Sequence, residues 1–428
     1  MKMALKLSKH EPFSLDQIFY YQEKMLQKFV PHLYKNSPFY KKKLDEAGVG
    51  PESVKSLDDL GRLPFTTKEE LRTGYPLGLM AAPEEQVVRI HSSSGTTGKP
   101  VIVPYTAYDV STWAEMMARC MAMTGVTARD RVQVTPGYGL WTAGIGFQAG
   151  VERLGALAIP TGPGNTRKQI EMMIDLQTTV LTATSSYALL LAEEVTRQGL
   201  RDRIKLRIGI FGSERWGEKT RARIEELLGI ETFDIYGLTE IYGPGISIDC
   251  PEHCGLHYWH DHLLFEVVDP FSGRQLPPGE EGELVVTTLT KEGMPLLRYR
   301  TRDITRIIPG QCRCGSPYPM HERVLGRTDD MIKIKGVNIY PGQVDHVLQI
   351  TEGAGGEYQL IVTRDQGKDN ILVKVEAAKD QPLEDVAERL RKNIKTCIGI
   401  LVDTEAVPDG SLPRSEKKSK RVFDYREC

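Results

Sequence analysis

Nine residues, Ser92 to Pro100, read SSSGTTGKP. Their hydroxyls, the amides that glycine lets turn inward and the cation of Lys99 could together hold a polyphosphate. The same composition suits a flexible surface turn. A Walker-type loop is excluded, because that pattern requires glycine at 93 and serine or threonine at 100, where the chain has Ser93 and Pro100. Gly144, Gly146 and Ala149 match a dinucleotide fingerprint only loosely, since they follow a Tyr- and Trp-containing loop instead of a strand. Two carboxylates stand in short polar motifs: Glu240 closes YGLTE and Asp303 closes YRTRD. A carboxylate can hold a hard cation between phosphate oxygens or accept two hydroxyls at once. The plainer roles are a strand-to-helix turn capped by Thr239 and a surface ion pair of Asp303 with Arg300 or Arg302.

Cysteine and histidine gather in CPEHCGLHYWHDH (250–262) and CRCG (312–315). Cys250, His257, Cys312 and Cys314 could form a tetrahedral zinc site, with His253, Cys254, His260 and His262 as competing ligands. Neither segment has paired CxxC knuckles, and buried free thiols are the alternative. An odd count of seven cysteines, unevenly placed, favours metal over disulfide in a reducing compartment. A closed four-ligand site would be structural.

These groups need a scaffold, and 428 residues with 40% hydrophobic composition allow a substantial core in two or more domains. The formal net charge of -2 gives no global preference for nucleic acid or an anionic membrane. The start of the chain has no signal-peptide core and no stretch is apolar enough to span a bilayer, so a cytoplasmic protein is expected. The middle alternates helix and strand: QIEMMIDLQ, TVLTAT, SYALLLAEEVTRQG (capped by Ser185 or Ser186, stopped by Gly199), LRIGIFG, EKTRARIEELLG and ETFDIYG. Such alternation predicts an α/β core of parallel strands. Ligands bind at the carboxyl ends of such strands, which singles out the turns Gly212-Ser213-Glu214 and Tyr236 to Glu240. Short β-rich runs from about residue 263 predict a β-subdomain, and EYQLIVT, NILVKVEA and LEDVAERLRKNIKTCIG predict a small C-terminal α+β domain. The expected boundaries are 1–328 for the large domain and 329–428 for the small one.

Taken in order, SSGTTGKP, YGLTE, YRTRD and GRTDDMIKIKG resemble the signature motifs of the adenylate-forming superfamily of acyl-CoA ligases, luciferases and peptide-synthetase adenylation domains. GYGLWTAGIGFQAGVERLGA, IPTGPGNTRKQIEMM and TTLTKEGMPLLRYRTRDIT are similar to its phenylacetate-CoA ligase branch. The resemblance runs from about residue 15 onward and implies an AMP-forming acid-thiol ligase. ATP with Mg²⁺ activates a carboxylic acid as acyl-adenylate, pyrophosphate leaves, and coenzyme A accepts the acyl group. By the same resemblance, Ser93, Ser94, Gly95, Thr96, Thr97, Gly98 and Lys99 embrace the β- and γ-phosphates. Thr239 donates to the α-phosphate, Glu240 holds Mg²⁺, and Asp303 takes the ribose hydroxyls. Gly212, Ser213, Glu214, Asp234, Ile235, Tyr236 and Gly237 line the adenine pocket, with Tyr236 stacked on the base, and Arg327 approaches ribose or phosphate. Members of the family often have glycine where Arg302 stands, so the surroundings of Asp303 are expected to be more cationic here.

The tail SLPRSEKKSKRVFDYR resembles the family's C-terminal lysine motif and places the adenylation lysine at Lys418, with Lys417 or Lys420 as substitutes. Read from composition alone, this run of cations is a solvated tail. A lysine on a separate small domain acts only if that domain moves, so a mobile lid is implied. Asp329 is the hinge position, and Gly336 approaches pantetheine in the second half-reaction; Asn338 departs from the arginine common there. The acyl pocket is expected from Tyr138 and Trp141 as flat walls, with Gly144 and Gly146 leaving room for an aromatic or arylacetic acid between them. Some members of the branch bind zinc at the cysteine cluster. The expected partners are a small carboxylic acid, ATP and coenzyme A, with a homodimer possible. The other readings are an adenylating enzyme that loads a carrier protein and a catalytically silent nucleotide- and zinc-binding regulator.

Overall fold

The computed structural model describes residues 15–93, 99–329, 332–334, 337–365, 368–414 and 420–426. Ser94 to Gly98, Gly336, Lys417 and Lys418 lie outside the described residues. Two compact units emerge. One comprises the described residues up to Gly162, Thr179–Thr182 and Phe233–Arg323; the other comprises Pro163–Thr178, Ala183–Thr232 and those from Val324 onward.

The class is α/β, built on a nine-stranded sheet. Its strand order is Ile307–Ile308, Met320–His321, Leu256–Tyr258, Gly243–Asp249, Glu231–Leu238, Ile208–Gly212, Val180–Thr184, Arg131–Val134, Leu157–Ile159. Arg131–Val134 runs parallel to both Leu157–Ile159 and Val180–Thr184. The sheet is mixed, however: Glu231–Leu238 folds back on Gly243–Asp249, which pairs antiparallel with Leu256–Tyr258. Gly237 makes this turnback possible, since a Cβ there would sit 1.9 Å from the Gly243 carbonyl oxygen. Leu263–Val268, Gly282–Thr288 and Tyr299–Thr305 pair antiparallel as the expected β-subdomain. Val87–Ser92 and Ile102–Thr106 pair as a hairpin with Ser92 opposite Ile102, and the serine- and glycine-rich segment lies between them in sequence.

Helices fall where apolar spacing and breakers put them. Ser185–Arg197 begins at Thr184, whose hydroxyl accepts from the Tyr187 amide, so the cap is one residue earlier than Ser185 or Ser186. Glu218–Leu228 and Leu383–Ile398 both stop at left-handed glycines, Gly229 and Gly399. No helix follows Thr239; the chain turns directly into Gly243–Asp249, which removes the N-cap reading of that threonine.

The C-terminal region closes a core of its own. Val386, Leu390 and Ile394, one helical stripe, pack with Leu360, Val362, Val373 and Val375 from its sheet. That sheet has the order Asp403–Val407, Lys368–Ala377, Ala354–Asp365, Val422–Asp424, and its last strand is parallel to Ala354–Asp365. Among the described residues, no helix is long and apolar enough to cross a membrane.

Candidate active site

At the neck of the hairpin, the Ser93 amide donates to the Val101 carbonyl at 3.0 Å and the Ser93 hydroxyl accepts from the Val101 amide at 2.9 Å. Lys99 lies 5.2 Å from the Tyr75 ring centre. The two ends of the segment are thus fixed by an ordinary ladder and a cation–π contact.

Glu240 is buried, 3% exposed. Lys68 Nζ lies 3.0 Å from its Oε1, yet that oxygen has no hydrogen bond among the described residues. The ammonium sits at ion-pair distance but off the lone-pair directions of that oxygen, which leaves a lone pair open. A buried carboxylate oxygen with spare accepting capacity fits a hard divalent cation. Thr239 Oγ1 stands 3.5 Å from Thr142 Oγ1.

Asp303, 4% exposed, accepts a 2.5 Å hydrogen bond from the Tyr236 hydroxyl. Beneath Tyr236 lies His321, edge to face at 5.6 Å. Thr305 donates to the Glu322 carbonyl, so its oxygen is left to accept from His321 Nδ1, while Ser247 and His321 Nε2 are 2.7 Å apart. Burial pushes the His321 pKa down to about 4 and keeps the ring neutral. The two flanking arginines pair elsewhere, correcting the surface ion pair with Arg300 or Arg302 expected for Asp303: Arg300 binds Glu283 and Arg302 binds Glu69 at 2.9 Å. Arg302 has φ of 67°. Glycine adopts that left-handed backbone without strain, and here Glu283 holds the Arg302 amide at 3.0 Å to sustain it.

The Tyr138 hydroxyl is buried without a hydrogen-bond partner among the described residues, and desolvation pushes its pKa up to about 12. Trp141, 51% exposed, precedes the helix Thr142–Leu154. The expectation for the two glycines is corrected. A Cβ at Gly146 would lie 2.3 Å from the Trp113 indole, and one at Gly144 would meet Tyr138 and the Pro136 and Gly137 carbonyls within 2.8 Å. At both positions the lack of a side chain is used for close packing.

Cys250, His257, Cys312 and Cys314 bring their ligand atoms within 4.8 Å of one another. His257 Nδ1 lies 2.7 Å from the Tyr318 carbonyl, which as acceptor fixes the proton there and leaves Nε2 to face Cys314 Sγ at 3.4 Å. Burial pushes the Cys250 thiol up. It also raises Cys312, but the Cys314 amide and neighbouring thiols outweigh it and bring Cys312 below the ordinary cysteine value. The competing groups are engaged otherwise: His253 with Asp249, His262 with Thr290. Cys254 stays 3.4 Å from Cys312.

In the second unit, Ser213 has φ of 68° and turns the chain after Gly212. Glu214 accepts from the Ser186 amide and Ser185 hydroxyl, at the positive end of the helix Ser185–Arg197. Arg327 and Asp329 form a two-pronged pair at 2.8 and 3.1 Å. Of the tail cations, Arg414 binds Glu376 and Glu193, and Arg421 binds Glu357 and Asp345. These side chains are 10% and 14% exposed, so the residues flanking the lysine motif are anchored and not a solvated tail.

The model of the AMP-binding enzyme family matches residues 32–290, and that of the AMP-binding enzyme C-terminal domain matches 336–426. The chain belongs to the AMP-binding enzyme family. It is 44% identical to a phenylacetate-coenzyme A ligase of Escherichia coli, covering 98% of each chain. It is 42% identical to a phenylacetate-coenzyme A ligase of Thermus thermophilus, covering 95% of this chain and 96% of the relative. The structure of a 2-hydroxyisobutyryl-CoA ligase in the postadenylation state, in complex with 2-HIB-AMP, superimposes with a TM-score of 0.88 at 28% identity, over 97% of this chain and 91% of that one.

Within this AMP-binding enzyme, two groups beside Glu240 escape sequence reasoning. Lys68 opens a short helix inside a capping box, where it reads as an ordinary exposed first-turn residue. Lys291 lies between Thr290 and Glu292 in a mixed polar stretch, and only its burial, 2% exposed, marks it.

Proposed function

We propose that this chain is an ATP-dependent arylacetic acid–coenzyme A ligase, with phenylacetate as the reference substrate. The observation that carries the reading is the near full-length identity of 41–44% to phenylacetate-coenzyme A ligases of four organisms. The pairing of Tyr236 with Asp303 supports it, because an aromatic face and a carboxylate placed together suit a base and its ribose.

In the first half-reaction the substrate carboxylate attacks the α-phosphorus of ATP and pyrophosphate leaves. Ser93 to Lys99 surround the β- and γ-phosphates, Thr239 donates to the α-phosphate, and Asp303 accepts the ribose hydroxyls. Gly212 to Glu214 and Asp234 to Gly237 form the adenine pocket, and Arg327 approaches the ribose or phosphate. Glu240 holds Mg²⁺, which when bound supplies positive charge to the triphosphate oxygens. Lys418 steadies charge between carboxylate and α-phosphate. In the second half-reaction the thiol of coenzyme A attacks the acyl carbonyl and AMP leaves. Asp329 is the hinge between the two states, and Gly336 meets the pantetheine arm. Tyr138 and Trp141 contribute the walls of the acyl pocket, with Gly144 and Gly146 in the helix that follows them.

Cys250, His257, Cys312 and Cys314 hold a structural Zn²⁺, which when bound cross-links the 250–257 segment to the 312–314 turn. A panel of aromatic, arylacetic and aliphatic acids in a pyrophosphate-release assay tests the substrate class. Highest kcat/KM for an arylacetic acid supports it, and preference for short aliphatic acids contradicts it.

A further inference from the structure

Lys291 has no part in the chemistry above, yet the fold places its amino group in the interior beside the YGLTE turn. Its Nζ lies 4.1 Å from the ring centre of Tyr105 and 4.3 Å from that of Tyr242, and it donates to the carbonyl of Ile241. The turn that bears Lys291 is held from the other side. Asp109, fully buried, accepts from the amides of Glu292 and Gly293 at 2.8 Å each. The Tyr105 hydroxyl donates to the Tyr242 carbonyl at 2.9 Å. Two consecutive carbonyls directly after Glu240 are therefore gripped by side chains from elsewhere in the same unit.

Such an arrangement is unfavourable for packing alone. Removing an amino group from water costs several kcal/mol, and a methionine would fill the same space between two rings without that cost. Desolvation draws the Lys291 pKa down to about 7 against the pull of Asp109 and Glu240. What the lysine provides, and an apolar side chain does not, is a donor aimed at the backbone one residue beyond Glu240.

We propose that Lys291 is a positioning residue for the metal-holding carboxylate: its bond to the Ile241 carbonyl sets the backbone of Glu240, so that the carboxylate meets the Mg²⁺ of the triphosphate in one orientation. This rests on the reading of Glu240 as the Mg²⁺ ligand. The group acts through the turn and touches neither substrate nor metal.

The test compares wild type with Lys291→Met and Lys291→Arg. For Lys291→Met the Mg²⁺ concentration giving half-maximal pyrophosphate release rises about tenfold or more. Calorimetry, independent of turnover, shows ATP binding in EDTA within twofold of wild type, while the tightening of ATP binding by Mg²⁺ is lost. Lys291→Arg recovers part of that tightening. An unchanged Mg²⁺ requirement together with a lowered melting temperature makes the lysine merely structural and overturns the proposal. If Lys291→Met does not fold, Tyr105→Leu, which removes one ring face and the Tyr242 tether, is read by the same two measurements with the same criteria. Wild type that releases no pyrophosphate with any acid defeats the functional reading instead, and so separates the two failures.

Discussion

The hydroxyl of Tyr236 and the carboxylate of Asp303 are joined by a 2.5 Å hydrogen bond across 67 residues of sequence. One comes from the strand Glu231–Leu238 and the other from Tyr299–Thr305. A charge-assisted bond of this kind contributes about 1.5–3 kcal/mol, enough to fix the register of an aromatic face against an acceptor. Asp303→Ala removes the acceptor of the tyrosine and the proposed acceptor of the ribose, so the KM for ATP rises about tenfold or more, with the KM for the acid within a few-fold. Tyr236→Phe leaves the carboxylate and loses one donor to it, giving a smaller rise. Initial rates of pyrophosphate release at varied ATP check both, and an unchanged ATP KM in Asp303→Ala contradicts the assignment.

The cysteine and histidine cluster predicts about one zinc per chain by elemental analysis. Chelation lowers the melting temperature by about 5 °C or more, because the metal binds only the folded state. Turnover measured below the new midpoint falls far less. Cys250→Ser reproduces the loss of metal. Activity that vanishes before any unfolding contradicts a structural role.

His260 and His321 are buried, and desolvation pushes the pKa of each down to about 4. In the unfolded chain they titrate near 6.5. Between pH 6.5 and 4 the unfolded state therefore binds protons that the folded state does not, and stability falls as the pH drops through that window. Calorimetry from pH 7 to 4 reads a declining midpoint. His321→Gln reduces the proton uptake on unfolding at pH 5 by about one. A slope identical to that of wild type contradicts burial of a neutral ring.

With Lys418 in its proposed role, Lys418→Ala slows acyl-adenylate formation by about 10²-fold or more, because a preorganised cation set against developing charge carries that much of the barrier. Thioester formation from supplied acyl-adenylate stays within a few-fold. The two half-reactions, run separately with single-turnover quenching, distinguish them, and equal loss in both removes Lys418 from its assigned role.

Much of this was legible in the residues. Apolar spacing and the stops at Gly229 and Gly399 located helices, since those signals act within a turn or two. The four clustered ligand residues could be picked out because cysteine and histidine have few other reasons to concentrate. Tertiary approach was less visible. Three hydroxyl residues in a row at 184–186 could each cap a helix, and only the strand end decided for Thr184. Gly146 looked like open space because nothing in its neighbourhood of sequence announces Trp113, 33 residues earlier, against which it packs. Lys68 and Lys291 carry no spacing signature, so their link to Glu240 appears only when the turn is folded. The fold-back at Gly237, which makes the sheet mixed, follows from a contact with Gly243 that alternation of helix and strand does not encode.

The most direct test of the account follows one turnover with phenylacetate, ATP and Mg²⁺, with coenzyme A added last. The account predicts acid-dependent pyrophosphate and enzyme-bound phenylacetyl-adenylate before the thiol is added, then one AMP and one phenylacetyl-CoA per pyrophosphate. ADP in place of AMP, or an adenylate that passes to a carrier protein and not to coenzyme A, contradicts it.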